Sequence, residues 1–262
     1  MPQRHKIVSH EQWLAARKRF LRKEKAFTGL RDRLSAERRG LPWERIEKEY
    51  VFDGPDGKET LAELFGGRRQ LLVYHFMFLP EWDAGCPSCS FWADNFDDNI
   101  VHLAHRDVTM VAVSRAPYRK LAAYRKRMGW TFKWLSSAGN DFNYDYQVSF
   151  RPDELADGRA VYNYKRGDPG ISDREGVSVF YKEPRGAVFH TYSAYARGID
   201  ILNAAYNYLD LVPKGRDEAG HAFTQFWVRR HDMPAQPYSW GRLAPNTAAN
   251  LRGRAGPAVL GT

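Results

Sequence analysis

The longest uninterrupted apolar run, Leu71-Leu72-Val73-Tyr74-His75-Phe76-Met77-Phe78, carries no alternation, so it predicts a central strand buried on both faces. A second such run, Asp107 to Val113, predicts its neighbour, and Trp130 to Leu135 predicts a third strand. Val177–Lys182 and Ala187–Tyr192, joined by Glu183-Pro184-Arg185-Gly186, read as a hairpin. Helical spacing marks Cys89, Trp92, Phe96, Ile100 and Leu103 as one face of a helix, with Asp94, Asp97 and Asp98 in its first turns. Pro117 opens another helix through Tyr118, Leu121, Tyr124 and Met128 to Gly129, and Ile199, Leu202, Ala205, Tyr206 and Leu209 mark a last one. Near the N-terminus Ser9 and Gln12 make a capping box. Trp13, Phe20, Phe27 and Leu34 then recur every seven residues along a long helix that ends near Gly40, with Thr28-Gly29 as a candidate break. Tyr50–Phe52 predicts a short strand, Asp53 to Gly57 a tight turn, and Thr60 to Phe65 one or two helical turns.

The order strand, helix, strand, helix, strand, helix, strand, insertion, hairpin, helix fits a mixed α/β sheet of parallel strands with right-handed crossovers and an antiparallel edge hairpin, a thioredoxin-like architecture. Its parts are a basic helical extension over residues 1–45, a thioredoxin-like domain over 46–232 with an insertion at about 137–176, and a loosely ordered tail over 233–262, rich in Pro, Ala, Gly and Asn. At 262 residues with 43% hydrophobic residues the chain is long enough for a sizeable core. Of its net charge of +9, almost all comes from residues 1–40, which hold twelve Lys and Arg against four acids. With no helix-turn-helix signal and no interleaved aromatic and basic sheet motif, a solvated helix face accounts for this better than nucleic acid. No apolar run spans a bilayer, and Met1-Pro2-Gln3-Arg4-His5-Lys6 lacks the apolar core of a secretory signal, so the expected compartment is the cytoplasm, with no membrane partner.

Both cysteines lie in Gly85-Cys86-Pro87-Ser88-Cys89-Ser90-Phe91-Trp92, between the first buried strand and the amphipathic helix. A Cys-x-x-Cys pair in that setting is a redox motif. A thiolate at a helix N-terminus is stabilised by unpaired backbone N–H groups and the helix dipole, which makes Cys86 the expected attacking sulfur, with a lowered pKa. Cys89, one turn further on, is placed to resolve a mixed disulfide on Cys86. A dithiol that never cycles and only packs is the alternative. A zinc site is opposed by geometry: Cys86, Cys89, His102 and His105 have near zinc-finger spacing, but an unbroken helix from Pro87 to His102 separates the pairs by roughly 22 Å. Trp82, Pro87, Ser88 and Trp92 are candidates to line a substrate groove. His75 and His190 read as structural histidines within strands, and Arg197 either caps a helix or holds a substrate anion.

The stretches Tyr74–Phe78, Gly85–Phe96, Ser178–Tyr181 and Val188–Gly198 resemble a thioredoxin-like bacterial family known as domain of unknown function 899, some of whose members are labelled predicted dithiol-disulfide oxidoreductases. The resemblance covers most of residues 5–232. It implies that fold, and thiol-disulfide exchange through Cys86 and Cys89 with a protein or small disulfide as substrate, a separate reductase as electron donor, and no organic cofactor. Two positions depart from better-known relatives. Arg174-Glu175-Gly176-Val177-Ser178 has no proline where thioredoxins place a cis-proline. Asp83 stands three before Cys86, where peroxiredoxins carry Thr or Ser, so a peroxidase is the weakest enzymatic reading. A non-catalytic scaffold or redox-sensing binding protein is the alternative from another class. The aromatic stripe of the N-terminal helix favours a homodimer.

Overall fold

Residues whose side chains alternate between two apolar layers form the centre of the protein in a computed structural model, which describes residues 5–233. The chain divides into two compact units, Met1–Trp43 and Glu44–Thr262. The first is a single helix, α1 (His10–Arg39), started by the Ser9–Gln12 capping box and running through Thr28-Gly29 without a break. Within it no residue is buried, and Trp13, Phe20, Phe27 and Leu34 are exposed.

The second unit begins with the two-residue strand β1 (Glu44–Arg45) and the hairpin β2 (Val51–Gly54) and β3 (Gly57–Thr60). Then come β4 (Gln70–His75), α2 (Pro87–Phe96), a 3₁₀ turn at Asp97–Asn99 and α3 (Ile100–Ala104). After these follow β5 (Val108–Ser114), α4 (Tyr118–Met128) and β6 (Lys133–Ser136). The insertion folds as α5 (Phe142–Asp145), α6 (Pro152–Ala156) and a small hairpin, β7 (Val161–Tyr162) with β8 (Lys165–Arg166). The edge hairpin β9 (Gly176–Lys182) and β10 (Val188–Tyr195), a 3₁₀ stretch at Ala196–Leu202 and α7 (Ala204–Leu209) complete the order.

Eight strands make one sheet in the order β1-β10-β9-β4-β5-β6-β2-β3. The β4–β5 and β5–β6 pairs are parallel and β4–β9 and β9–β10 antiparallel, the mixed thioredoxin-like arrangement expected. Because successive side chains in a strand point to opposite faces, Leu71 and Val73 of β4, Val111 and Val113 of β5 and Leu135 of β6 enter one core with Phe52, Phe65, Phe142 and Phe180. Tyr74, Met110, Ala112 and Trp134 enter the other, with α2, α4 and both cysteines.

Four expectations need correction. The first buried run is a strand only as far as His75, where its register ends at Gly176 of β9 and Val113 of β5, although Phe76 N still donates to Val113 O at 2.9 Å. The third strand starts at Lys133, because the N–H groups of Thr131 and Phe132 donate to Asp97 Oδ1 at 3.0 and 2.9 Å. Asp97 and Asp98 are accordingly past the end of α2, whose first turn contains no acid. The last helix divides in two at Asn203, whose Oδ1 accepts from Tyr206 N at 3.2 Å and starts α7. The predicted tail, from Pro234 onward, lies outside the described residues.

Two buried titratable groups give the fold opposing responses to acid. His75, 1% exposed, shares a 2.8 Å hydrogen bond between Nε2 and Ser178 Oγ, and burial followed by the nearby His190 pushes its pKa from 6.5 to about 3. The unfolded chain therefore takes this proton first, and the stability present above pH 6.5 is lost as pH falls toward 3. Asp173 joins the insertion to the sheet unit, accepting from Ser149 Oγ at 2.7 Å and Arg115 Nη1 at 3.0 Å. Burial raises its pKa from 3.8 to about 6, against the pull of Arg115, so its contribution is full below pH 3.8 and is lost as pH rises through 6. Between pH 6.5 and 4.5 the urea midpoint should fall less in His75→Gln than in wild type and fall more in Asp173→Asn, a difference that denaturation at a series of pH values measures directly.

Candidate functional site

The dithiol is held by the backbone of one residue. Where β4 ends, Met77 has no strand partner, and its main chain turns to the cysteines: Cys86 N donates to Met77 O at 3.1 Å, and Met77 N donates to Cys89 Sγ at 3.4 Å. Cys86 is the N-cap of α2, in non-helical conformation (φ −52°, ψ 130°), and Pro87 occupies the first helical turn, where its missing N–H costs nothing. Ser90 then fixes the cap from inside, its N and Oγ donating to Cys86 O at 2.9 and 2.8 Å, while its hydroxyl shares a 3.0 Å contact with Tyr124 Oη.

Just before the cap, Gly85 is a glycine by necessity, since a Cβ there would stand 2.7 Å from Phe76 and 2.9 Å from Tyr124. The loop leading to it is pinned by Lys120, whose Nζ donates to Pro80 O at 2.7 Å and Trp82 O at 2.9 Å. A segment far along the chain closes the other side. Arg230, buried, donates from Nε and Nη2 to Gly85 O at 3.2 and 2.7 Å. Beside it His231 Nδ1 meets Asp94 Oδ1 on α2 at 2.7 Å, and Asp232 pairs with Arg127 on α4 at 2.6 Å. Together these three residues strap the C-terminal segment across the dithiol helix.

Both cysteines are free thiols, 3.8 Å apart, and both are buried, Cys86 at 3% exposure and Cys89 at 1%. Their electrostatics differ in direction. The hydrogen bond from the Cys89 thiol, aided by the N–H groups of Cys89 and Ser88, lowers the Cys86 pKa despite burial. Burial, reinforced by that hydrogen bond and by charge on Cys86, pushes Cys89 far up. The arrangement suits one charged sulfur and one that keeps its proton. Glu175, partly buried just before β9, adds negative charge that opposes ionisation of both thiols; its Oε1 accepts from Tyr162 Oη at 3.1 Å.

Of the groove candidates, Pro87 and Ser88 are partly exposed. Trp82 and Trp92 are 8% and 4% exposed within the core, and Trp92 Nε1 donates to Ile199 O at 3.0 Å, an anchor between α2 and the chain that follows β10. The helix expected to run unbroken to His102 stops at Phe96 and resumes at Ile100, and among the described residues no group of three His, Cys, Asp or Glu is arranged to hold a metal. His75 and His190 sit in their strands, and His190 Nε2 meets Ser193 Oγ at 2.8 Å. Arg197 pairs with Asp200 at 3.4 Å. Tyr74, Glu175 and Arg230 are the residues near the dithiol that sequence reasoning missed. A charge in a Pro- and Gly-poor stretch 140 residues downstream carries no signal of this contact.

A thioredoxin-like sheet with a Cys-x-x-Cys pair at a helix N-terminus is thus the class of protein present. The chain belongs to the family described as a bacterial protein of unknown function (DUF899), whose model matches residues 2–233. A search among curated proteins gives no match. Among solved structures the chain is similar to peroxidoxin BcpB from Mycobacterium tuberculosis, at 16% identity and a TM-score of 0.41 over 62% of this chain and 93% of that one. It is similar also to the bacterioferritin comigratory protein of Xanthomonas campestris, at 13% identity and a TM-score of 0.41 over 59% and 86% of the two chains. A yeast mitochondrial 1-Cys peroxiredoxin matches at 13% identity and 0.39 over 65% and 78%. At such values the likeness assigns no activity. No helix among the described residues is long and apolar enough to cross a membrane.

Proposed function

We propose that this protein exchanges dithiol for disulfide, with Cys86 as the attacking sulfur and Cys89 as the resolving one. The observation that carries the reading is the split between two adjacent sulfurs. Cys86, at the N-cap, is disposed to lose its proton, while Cys89, deeper in the core, is disposed to keep it. The substrate is a protein or small-molecule disulfide, electrons come from a separate reductase, and the cytoplasm is the compartment in which such a dithiol is kept reduced.

The test is the rate of iodoacetamide labelling of Cys86 against pH in wild type and Cys89→Ser, beside a dithiothreitol-linked disulfide reduction assay. An apparent pKa below ~7.5 with turnover supports the reading. A value at or above ~8.5 with no turnover overturns it. A second reading, a redox-sensing scaffold, is favoured by the burial of both sulfurs, since a substrate must reach a thiol that is 3% exposed.

Access then depends on the strap. The guanidinium of Arg230 makes two charge-assisted hydrogen bonds to Gly85 O, and a hydrogen bond to a charged group contributes about 1.5–3 kcal/mol. Arg230→Ala is therefore expected to open the loop before Cys86 more often and to speed its alkylation by about tenfold or more at fixed pH. Unchanged labelling would place the access route elsewhere.

A further inference from the structure

Tyr74 carries a hydroxyl for which the resting protein has no use. β4 presents its ring to the dithiol side of the sheet, where Phe96 at 5.3 Å and Phe76 at 6.2 Å between centroids hold it in place. The residue is 0% exposed, and its Oη, wholly buried, makes no hydrogen bond among the described residues. The ring packs on α2, the helix that carries Cys89, and Tyr74 and Cys89 belong to one buried cluster, with charge on Cys89, Glu175 and Cys86 acting on the hydroxyl. A buried hydroxyl with no partner destabilises a protein, and phenylalanine would fill the same space without that cost.

Among the described residues the Cys89 sulfur accepts one hydrogen bond from the backbone, from the N–H of Met77 at 3.4 Å. For a thiol one donor suffices, but a thiolate in a buried site needs more, and here burial and the charge of Glu175 both work against the anion. We propose that Tyr74 is the second hydrogen-bond donor to Cys89 in its thiolate form, and so a residue of the resolving step. This rests on the dithiol-exchange reading above.

In the first step the Cys86 thiolate attacks a disulfide R–S–S–R′, forming the bond Cys86–S–S–R and releasing R′–S⁻. In the second, Cys89 gives its proton to solvent, its sulfur attacks Cys86 Sγ, the Cys86–S–R bond breaks and R–S⁻ departs to be protonated. Two electrons pass from the dithiol to the substrate, leaving a Cys86–Cys89 disulfide. Tyr74 keeps its proton throughout; it turns its O–H onto the Cys89 sulfur as charge develops there, next to the N–H of Met77.

The test uses 5,5′-dithiobis(2-nitrobenzoate) with the full chain, because each step releases one equivalent of coloured thiolate. Tyr74→Phe should leave the first phase, attack by Cys86, unchanged. It should slow the second phase at least about tenfold, the effect of one hydrogen bond to a charged group, and move its pH midpoint upward. Its melting temperature should equal or exceed that of wild type, since only an unpartnered hydroxyl is removed. A second phase at the wild-type rate and pH midpoint overturns the inference and leaves dithiol exchange standing. So does a variant that melts lower and slows both phases equally, which assigns the hydroxyl to packing. If wild type shows no first phase, the dithiol reading itself fails, and this inference with it.

Discussion

In the proposed dithiol exchange, Cys86→Ser is expected to lower the rate by about three orders of magnitude or more, because it would remove the nucleophile rather than one of its supports. Cys89→Ser should behave differently. Cys86 still attacks, but nothing resolves the product, so the protein should accumulate as a mixed disulfide with its substrate, visible as a mass shift that dithiothreitol reverses. The two outcomes together test the roles and not only the presence of sulfur chemistry. Equal loss in both variants, with no trapped species, would count against the assignment of Cys86 as attacker. Cys89→Ser is also the variant that could capture a physiological substrate, since the dead-end adduct carries it covalently.

The second large effect is on stability. Trp134, 1% exposed, is the ring around which the dithiol-side core closes: Phe76 lies 4.5 Å away between centroids, with Phe132, Trp130, Tyr124 and Phe78 at 5.7 to 6.2 Å. Its Nε1 donates to Ser114 Oγ at 3.0 Å, and Ser114 in turn donates to Phe76 O at 2.6 Å. Trp134→Ala should cost about 3–5 kcal/mol through lost burial and the cavity left behind, or a fall of about 10 °C in melting temperature for a unit of this size. Because Phe76 also abuts Gly85, the loss should loosen the loop before Cys86, and labelling of Cys86 should quicken in the same variant below its melting transition. Thermal denaturation followed by tryptophan fluorescence, with timed alkylation at 25 °C, reads both.

Much of this was legible in the sequence because local physics decided it. Runs without alternation such as Leu71–Tyr74 and Val111–Val113 are strands covered on both faces, and the Ser9–Gln12 box starts α1. The Cys-Pro-Ser-Cys segment opens a helix, as a cap followed by proline should. What was not legible depended on contacts distant in sequence. Phe76 to Leu79 are as apolar as β4, yet leave the sheet because β9 begins at Gly176, opposite His75, and the N–H of Met77 turns to Cys89 Sγ. Trp130 to Phe132 look like strand but lose their N–H groups to Asp97. Trp82 and Trp92, adjacent to the dithiol and therefore groove candidates, are buried, and Trp92 is anchored to Ile199 O in the chain after β10. Arg230 has no local pattern at all: its partner is a carbonyl 145 residues earlier.

The sheet order has a consequence for how the protein is made. The dithiol follows β4, but the antiparallel partner of that strand, β9, begins only at Gly176, and the edge pair Glu44↔His190 joins residues 146 apart. At about 5–20 residues per second the ribosome delivers β9 on the order of ten seconds after Cys89. During that interval one side of β4 has no partner, and two thiols destined for near-complete burial are still open to solvent. The oxidation state of the surroundings during synthesis, before the finished protein meets any substrate, therefore bears on whether Cys86 and Cys89 enter the fold as thiols or already joined.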